Sequence, residues 1–497
     1  MKMKIKDLIT KLRKGVRAGM AAVKESNSIT DNRILRMISD FEMSEEKKLM
    51  EIGERYYRVD NDIKNRKITR KMSNGKIVEE TYKANNKLAH AKYKNMVDEK
   101  ISYLLSNPVT YKTDTEDKND TYIKILKDVL GKHFQYQLSS IGYEASNKGI
   151  GWLHVYINSE GLLKMMVIPS EQCIPLWKDR THTELDMMVR VYHTYTWEYD
   201  EKKKITNVEV WTENDVTYYR LDGGLLIADY EKNNDNGGPV SHYKSENGWC
   251  AWGKIPFIPF KNNRIELPDI AFVKSLLDGY DLGRSEAANY VQEVKNLIFI
   301  LKGYGGTDIS EFMKQLNEDR VIPIDDVDDG DVDALTPQMD ITALKEHYEQ
   351  LKRDIAEDGQ SIIKDLDKFG NSPSGVALKF MYAGLDLKCN LMETEFKFGF
   401  EMLLYFVDTY FEITGQGNFD NIEVEIVFNR NMTINEQEMI TNCNNSKGTV
   451  SEETILSHHP YVNDVEEEKR RLESERAKND PGWDEVVITK GDGDGEE

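Results

Sequence analysis

The longest helical pattern in the chain spans residues 340–414 and contains a single break. In its first half, apolar residues recur at steps of mostly three and four positions with charged residues between them, which predicts a helix with one apolar stripe. The stripe consists of Ile341, Leu344, Tyr348, Leu351, Ile355 and Ile362. The break covers residues 366–375, whose glycines and proline interrupt any continuous helix. Residues 376–413 contain no proline and predict a second helix of roughly 55 Å.

The chain before this stretch changes its period once. Residues 31–150 show helical patterns, and three helices are predicted at 44–58, 86–105 and 122–147. Short alternating runs separated by turn residues occupy 151–260, which predicts an antiparallel meander with hairpins. The run at 255–260 contains two prolines, which cannot donate to a ladder, so we expect an edge strand at best.

The remaining patterns alternate between helix and strand. A helix is predicted at 269–302, stopped by the glycines that follow. Residues 303–339 predict a compact insert with a short helix at 308–316 and a strand at 320–324. A strand at 422–428 and short helices within 433–476 follow. The patterns together predict an α+β chain with an elongated helical part.

Composition narrows the functions that this fold can perform. The chain has 497 residues, of which 39% are hydrophobic, and a formal net charge of −21. Its length predicts two to four folded domains. The negative charge argues against tight DNA binding through counterion release, which needs clustered lysine and arginine. It does not exclude a surface that lets a duplex pass without holding it.

The two ends of the chain differ in charge from each other. Residues 1–24 carry eight lysines and arginines against one aspartate, with apolar residues on one helical face. Such a helix can lie on a membrane, but docking on an acidic partner or an acidic part of the same chain is the preferred interpretation. Residues 477–497 form a polar, acidic tail that we expect to be disordered. No signal peptide and no membrane-spanning run is predicted.

No motif in the chain predicts catalysis or a cofactor. Every Gly-Lys pair lacks the other residues of a phosphate-binding loop. The acidic run at 325–333 fails the spacing of a calcium-binding loop and predicts an exposed turn. The four cysteines show no paired spacing and are expected to be reduced thiols. With 87 acidic residues, a metal-dependent nucleic-acid enzyme stays open as an alternative, and a peripheral scaffold protein is another.

A group of aromatic residues at 192–199 permits two interpretations. The group consists of Tyr192, Tyr195, Trp197 and Tyr199. Such side chains can stack on nucleic-acid bases. On a β segment they more often pack against a sheet face, and that is the preferred interpretation.

Three stretches resemble the portal proteins of tailed bacteriophages, of the type found in long-tailed phages of Gram-positive hosts. They are NNKLAHAKYKNMVDEKISYLLSNPV at 85–109, GKIPFIPFKNNRIELPDIAFVKSLLDGYDLGRSE at 253–286, and the element at 340–414 with its continuation GLDLKCNLMETEFKFGF. The similarity covers roughly residues 35–475. These motifs are structural, so the resemblance rests on their order and length.

The resemblance implies a portal-type α+β fold, with long stem helices, a mixed helical and antiparallel-β wing, a small α/β clip and a helical crown. It assigns 31–268 to the wing, 269–302 and 340–365 to the stem helices, 303–339 to the clip, 366–375 to the tunnel loop, 376–432 to the long wing helix and strand, and 433–476 to the crown. The basic arm at 1–30 and the acidic tail at 477–497 are the parts that it supports least.

The same resemblance implies a function without catalysis, metal or cofactor. Portal proteins form a ring, of twelve copies in this family, at one capsid vertex of the virion, and assemble in the host cytoplasm. Double-stranded DNA passes through the ring during packaging and ejection. The implied partners are the terminase large subunit, a head-completion or adaptor protein, and the major capsid and scaffolding proteins, with no membrane.

Candidate residues for these contacts fall into three groups. The tunnel-loop candidates are Lys364, Lys368, Phe369, Asn371, Ser372 and Ser374. The stem candidates are Lys345, Lys352 and Arg353. The clip candidates, for contact with terminase or adaptor, are Glu311, Lys314, Asp325, Asp326 and Asp328. Each lysine is alternatively an ordinary solvated residue, and the stem lysines face either DNA or a neighbouring subunit.

Overall fold

The computed structural model describes most of the chain. The described residues are 29–80, 83–113, 119–198, 200–245, 248–293, 298–302, 331–335, 341–362, 375–419, 422–431, 436–462 and 464–479. They form a mixture of helices and antiparallel sheets, which confirms the predicted α+β class at that level. None of the described helices is long and apolar enough to cross a membrane.

Among the residues that the structure describes, five α-helices precede the first large sheet. They are α1 (Ile29–Glu42), α2 (Glu45–Tyr57), α3 (Lys92–Leu105), α4 (Asn119–Leu130) and α5 (Phe134–Lys148). Helix α2 confirms the prediction for 44–58, because Ser44 and Arg58 are its caps and the Ser44 hydroxyl accepts a hydrogen bond from the Lys47 amide. Helix α3 starts six residues later than predicted.

The prediction of one helix over 122–147 is wrong. Helix α4 ends at Leu130, and Gly131 follows in the left-handed region with φ of 71°. A residue in that conformation cannot continue a right-handed helix, so the chain turns before α5 begins at Phe134. A single interior glycine in an apolar-periodic stretch was the signal for this break.

The predicted meander is confirmed as two antiparallel sheets. Their strands are β4 (Ile150–Ile157), β5 (Leu163–Ile168), β6 (Cys173–Trp177), β7 (Leu185–Glu198), β8 (Glu201–Trp211), β9 (Asp215–Asp222), β10 (Leu225–Ala228), β11 (Val240–Ser241) and β14 (Phe257–Lys261). The smaller sheet has the order β14-β4-β5 and the larger one the order β10-β9-β8-β7-β6, with β11 on β9. Strand β14 lies at a sheet edge, as its prolines required.

Two-stranded sheets also lie in the first two thirds of the chain, and one of them includes a strand from later in the sequence. They pair β1 (Thr69–Lys71) with β2 (Ile77–Glu79), β12 (Tyr243–Ser245) with β13 (Gly248–Cys250), and β3 (Thr110–Thr113) with β17 (Val424–Val427). Strand β17 confirms the strand predicted at 422–428. Its partner β3 was not predicted, because the run Thr-Tyr-Lys-Thr contains a single apolar side chain and so shows no apolar alternation.

The second part of the chain contains the long helices. They are α6 (Ile270–Glu293), α7 (Ile341–Asp358) and α8 (Gly375–Ile413), followed by α9 (Glu436–Asn445), α10 (Glu452–Ser457) and α11 (Val465–Asn479). Helix α8 confirms the proline-free helix and has 39 residues, which corresponds to roughly 58 Å. Helices α9 and α10 confirm the short helices expected within 433–476, whereas α11 has 15 residues and extends to Asn479, into the tail that was expected to be disordered.

Two predicted helix ends are wrong. The helix expected over 269–302 ends at Glu293, and β15 (Ile298–Lys302) pairs antiparallel with β16 (Asp331–Leu335). The run Ile-Phe-Ile-Leu suits a strand because branched and aromatic side chains pack well on a pleated surface. The helix expected to reach residue 365 ends at Asp358, since Gln360 has φ of 48°. The elements predicted at 308–316 and 320–324 lie outside the described residues.

One large hydrophobic core joins the early helices to α8. Its buried members come from α3, α5, β4, β14, α6, α7 and α8. Phe260 of β14 packs edge-on against Phe396 of α8, with ring centroids 5.2 Å apart. All five residues of β14 are buried. The long helices are therefore anchored in the same core as the first sheet.

We expect Gly53→Ala to destabilise this core by about 1–3 kcal/mol or more, because overpacking at a backbone contact cannot be relieved by a side-chain movement. A Cβ at Gly53 of α2 would lie 1.9 Å from the backbone oxygen of Asn147 in α5. The matched control is Gly384→Ala in α8, where the nearest atom would be 3.6 Å away. Chemical denaturation of both variants measures the difference, and equal stability would contradict the prediction.

Candidate functional site at the paired helices

Helices α6 and α7 pack together and form a cleft that collects basic residues. The cleft has a volume of about 300 Å³ and is lined by Tyr280, Arg284, Ala287, Leu344, Lys345, Tyr348, Glu349 and Lys352. Two of the three stem candidates, Lys345 and Lys352, lie two helical turns apart on one face of α7. Arg284 comes from α6 and was missed, since nothing in the sequence relates it to α7. The third stem candidate, Arg353, is exposed and does not line the cleft.

Tyr348 holds the two helices at a fixed distance. Its hydroxyl donates to the backbone oxygen of Gly283, at 2.6 Å, and its ring is edge-on to Tyr280, with centroids 6.2 Å apart. A Cβ at Gly283 would lie 2.9 Å from the Tyr348 ring. The guanidinium of Arg284 lies 5.4 Å from the centre of that ring, within the range of a cation–π contact. The absence of a side chain at Gly283 on α6 thus leaves the space that the Tyr348 ring on α7 occupies.

The cleft carries a small excess of positive charge. Lys345, Lys352 and Arg284 face one carboxylate, Glu349. The ammonium of Lys352 lies 2.5 Å from that carboxylate, and this hydrogen bond lowers the pKa of Glu349. The lining therefore carries three cations for one carboxylate. Such a surface can attract a polyanion weakly without binding it tightly.

Residues 86–91, together with Asn61, contact the side of α6 that faces away from the cleft. His90 and Asn61 both hydrogen-bond the carboxylate of Asp281, at 2.7 and 2.5 Å. The amide of Leu88 donates to the hydroxyl of Ser285, and the amide of Asn86 donates to the side-chain oxygen of Asn289. Residues 86–91 are therefore extended along α6 and form no part of α3, which explains why the helix predicted from residue 86 starts at Lys92.

A buried carboxylate joins α6 to α3 and α8. Asp269, which precedes α6, lies 3.1 Å from the ammonium of Lys100 and 3.2 Å from that of Lys388. The side-chain amide of Asn262 donates to it at 2.9 Å. Lys388 also donates to the backbone oxygen of Gly359, directly after α7, at 3.0 Å. One ionic cluster therefore touches the ends of both helices that form the cleft.

The pKa shifts in this cluster follow from burial and charge. Burial alone raises the pKa of Asp269, but Lys100 and Lys388 outweigh it, so the pKa is lowered from its ordinary value of 3.8. Burial also lowers the pKa of Lys100, which Asp269 only partly opposes because Lys388 shares the same carboxylate. Asp269 is thus a buried anion stabilised by two cations.

The other predicted site residues divide into two groups. The tunnel-loop candidates Lys364, Lys368, Phe369, Asn371, Ser372 and Ser374 and the clip candidates Glu311, Lys314, Asp325, Asp326 and Asp328 all lie outside the described residues. Among the residues that the structure describes, no group of three or more histidine, cysteine, aspartate or glutamate side chains is placed to hold a metal ion.

The expectation that the aromatic group at 192–199 packs a sheet face is wrong for two members. Tyr195 and Trp197 are 58% and 69% exposed. Residues 201–205 of β8 pair with β7 but not with β9, so this end of the hairpin extends past the neighbouring strands. Tyr192 is half-buried beneath Arg190, and Tyr199 lies outside the described residues.

Comparison with known proteins identifies one family. The model of the family described as "Phage portal protein, SPP1 Gp6-like" matches residues 40–482. The chain is 30% identical over 426 residues to the portal protein of Bacillus phage SPP1, covering 85% of this chain and 82% of the relative. It is 33% identical over 410 residues to the portal protein of Clostridium phage phiCD119, covering 79% and 86%.

We expect Asp269→Asn to lower the free energy of unfolding by about 3–5 kcal/mol, because removing one partner of a buried ion pair leaves the other charge uncompensated. The matched control is Glu349→Gln, which breaks an exposed pair and should change stability by less than about 1 kcal/mol. Denaturant unfolding at neutral pH measures both, and a neutral Asp269→Asn would contradict the role of the cluster.

The contribution of Asp269 should also depend on pH. Its pKa is lower in the folded chain than its ordinary value of 3.8. The ionised carboxylate therefore stabilises the fold fully above that value, and the stabilisation is lost as pH falls through the lowered pKa. The stability difference between the wild type and Asp269→Asn should be constant near neutral pH and shrink below about pH 4. A difference that stays constant down to pH 2 would refute this.

Proposed function

The chain belongs to the SPP1 Gp6-like family of phage portal proteins and has a portal function, and on that premise we propose that its copies form a ring around a channel for double-stranded DNA at one capsid vertex. The observation that carries the proposal is the family match over residues 40–482. The alternatives, a metal-dependent nucleic-acid enzyme and a peripheral scaffold protein, have no comparable support.

The helical part of the fold supports a stem-like role for α6 and α7. Helix α6 begins and helix α7 ends at the ionic cluster of Asp269 and Lys388. The contact between Tyr348 and Gly283 holds the two helices together. We assign them to the stem, with 31–268 as the wing, 303–339 as the clip, 366–375 as the tunnel loop, 376–432 as the long wing helix and strand, and 433–476 as the crown.

The charges support a channel that conducts DNA without retaining it. The whole chain has a net charge of −21, and a net negative charge repels phosphate at long range. The cleft between α6 and α7 instead collects Arg284, Lys345 and Lys352. Repeated around a ring, such weak positive sites would centre a duplex by attraction from all sides. We therefore propose that the face of α7 bearing Lys345 and Lys352 lies toward the channel.

The family supplies the partners of this proposal. Twelve copies would form the ring in the virion, after assembly in the host cytoplasm. The terminase large subunit and the head-completion protein would dock on the clip, where Glu311, Lys314 and the acidic run from Asp325 offer charged contacts. Capsid and scaffolding proteins would meet the wing.

The first test is whether the purified protein forms rings. Mass measurement combined with electron microscopy should show a closed ring with a central opening. A stable monomer under all conditions that also shows metal-dependent nuclease activity would refute the portal proposal and favour the enzyme.

We expect the double variant Lys345→Ala with Lys352→Ala to assemble normal rings but to package DNA several-fold less efficiently, because the weak attraction that centres the duplex is lost. The matched control replaces two exposed lysines of α4, Lys124 and Lys127, by alanine. Packaged DNA per assembled particle is the measurement. Unchanged packaging in the α7 variant would place these lysines away from the channel.

We also expect an insertion of bulky residues into 366–375 to leave ring assembly intact and to block packaging, because this segment is proposed to form the narrowest part of the channel. An insertion of the same length made of glycine and serine is the control for chain length. Normal packaging by the bulky variant would remove the segment from the constriction.

A further inference from the structure

Helix α8 has an apolar face that the described residues do not cover. Phe380, Leu387 and Leu391 are 69%, 60% and 62% exposed. Their spacing of seven and four residues places them on one face, opposite the buried face that contains Leu385 and Met392. Along the helix they span roughly 16 Å. We call these three residues the α8 stripe. Three large apolar side chains clustered on one exposed face are typical of an interaction surface.

Helix α6 has a second uncovered face of a different shape. Phe272 and Leu282 are 48% and 44% exposed, and Ser275 and Gly279 lie exposed between them on the same face. No atom lies within 4 Å of the position that a Cβ at Gly279 would occupy. We call these four residues the α6 stripe. It spans roughly 15 Å and has small residues in its middle, which lets another helix approach closely.

The two stripes are complementary in length, shape and charge. The α8 stripe consists of large side chains and carries Lys379 beside Phe380, whereas the α6 stripe has small residues in its middle and carries Glu286 one turn beyond Leu282. Both charged residues are exposed, and Glu286 also pairs with Arg66. If Leu391 lies over the Phe272 end, Lys379 reaches the Glu286 end.

The position of the two stripes suits neighbours in a ring. Copies related by rotation about one axis meet at equal heights along that axis, through two different faces of the chain. Lys388, between Leu387 and Leu391, lies 3.2 Å from Asp269, one turn before Phe272. The Leu391 end of the α8 stripe and the Phe272 end of the α6 stripe therefore lie close to the same ion pair within one copy.

We propose that the α8 stripe of one copy packs on the α6 stripe of the next copy, and that this contact closes the ring. The inference rests on the proposed ring function and deepens it by naming the two faces that meet. The partner that covers each stripe is a second copy of this chain. The α8 stripe supplies large apolar side chains and a lysine, and the α6 stripe supplies small residues and a glutamate.

The first test removes the apolar contact. Leu387→Asp, Leu391→Asp and Leu282→Asp should each weaken assembly by roughly thirtyfold or more, which is the size expected for a central interface residue. Rings are counted by electron microscopy and sedimentation at a protein concentration where the wild type is fully assembled. The controls are Ile413→Asp on α8 and Val291→Asp on α6, which place the same charge at exposed apolar positions, 41% and 67% exposed, outside the stripes. Circular dichroism and thermal unfolding verify that every variant folds.

The second test identifies the pairing. A chain with Leu387→Cys and Gly279→Cys should form a ladder of covalent multimers on oxidation, up to the full ring. The two single variants and the pair Ile413→Cys with Gly279→Cys should form none. These controls also report on the natural thiols, of which Cys173, Cys389 and Cys443 are buried and Cys250 is half-buried.

The outcomes of the two tests distinguish a failure of this inference from a failure of the proposed ring. If the wild type forms no rings under any condition, the proposed function fails together with the inference. If the wild type and the three aspartate variants assemble equally well, the inference alone is overturned. If the aspartate variants dissociate but no ladder forms, the pairing of the α8 stripe with the α6 stripe is overturned.

Discussion

The buried carboxylate of Asp269 is the constraint on which the arrangement of the long helices depends. It holds Lys100 of α3 and Asn262 after β14, which are buried, and Lys388 of α8, which is partly buried. A buried charge is tolerated only when its partners are in place. The three elements must therefore reach this carboxylate together, which couples the early helices, the first sheet and the long helices in one cooperative junction.

Lys388 extends that junction to the end of α7. It donates to the backbone oxygen of Gly359, and a Cβ at Gly384, one turn earlier in α8, would lie 3.6 Å from Gln360. The end of α7 and the middle of α8 are thus held at one place, because separating them would uncover a buried charge.

The sequence predicted the elements that follow from local pattern. The helical pattern at 44–58 predicted α2, and the absence of proline between 376 and 413 predicted α8. The break at Gly131 and the strand at 298–302 were missed because each depends on a few residues inside a longer apolar pattern. Lys345, Lys352 and Arg353 were proposed as stem candidates from their positions in the apolar-striped helix, and the sequence left open which of them share a face of the folded stem. Arg284 and the cluster of Lys100 and Asp269 were not predicted, since residues 169 positions apart meet only in the folded chain.

The negative charge of this chain opposes assembly of its copies but favours passage of DNA. Copies with a net charge of −21 repel one another, yet a channel for DNA benefits from that same negative surface. Salt at physiological strength screens repulsion beyond about 8 Å but leaves contacts at shorter range unaffected. A ring of such chains must therefore be held by short-range contacts whose strength does not depend on charge. Exposed apolar faces such as those of α6 and α8 supply contacts of that kind, because burial of apolar surface is insensitive to the net charge of the partners.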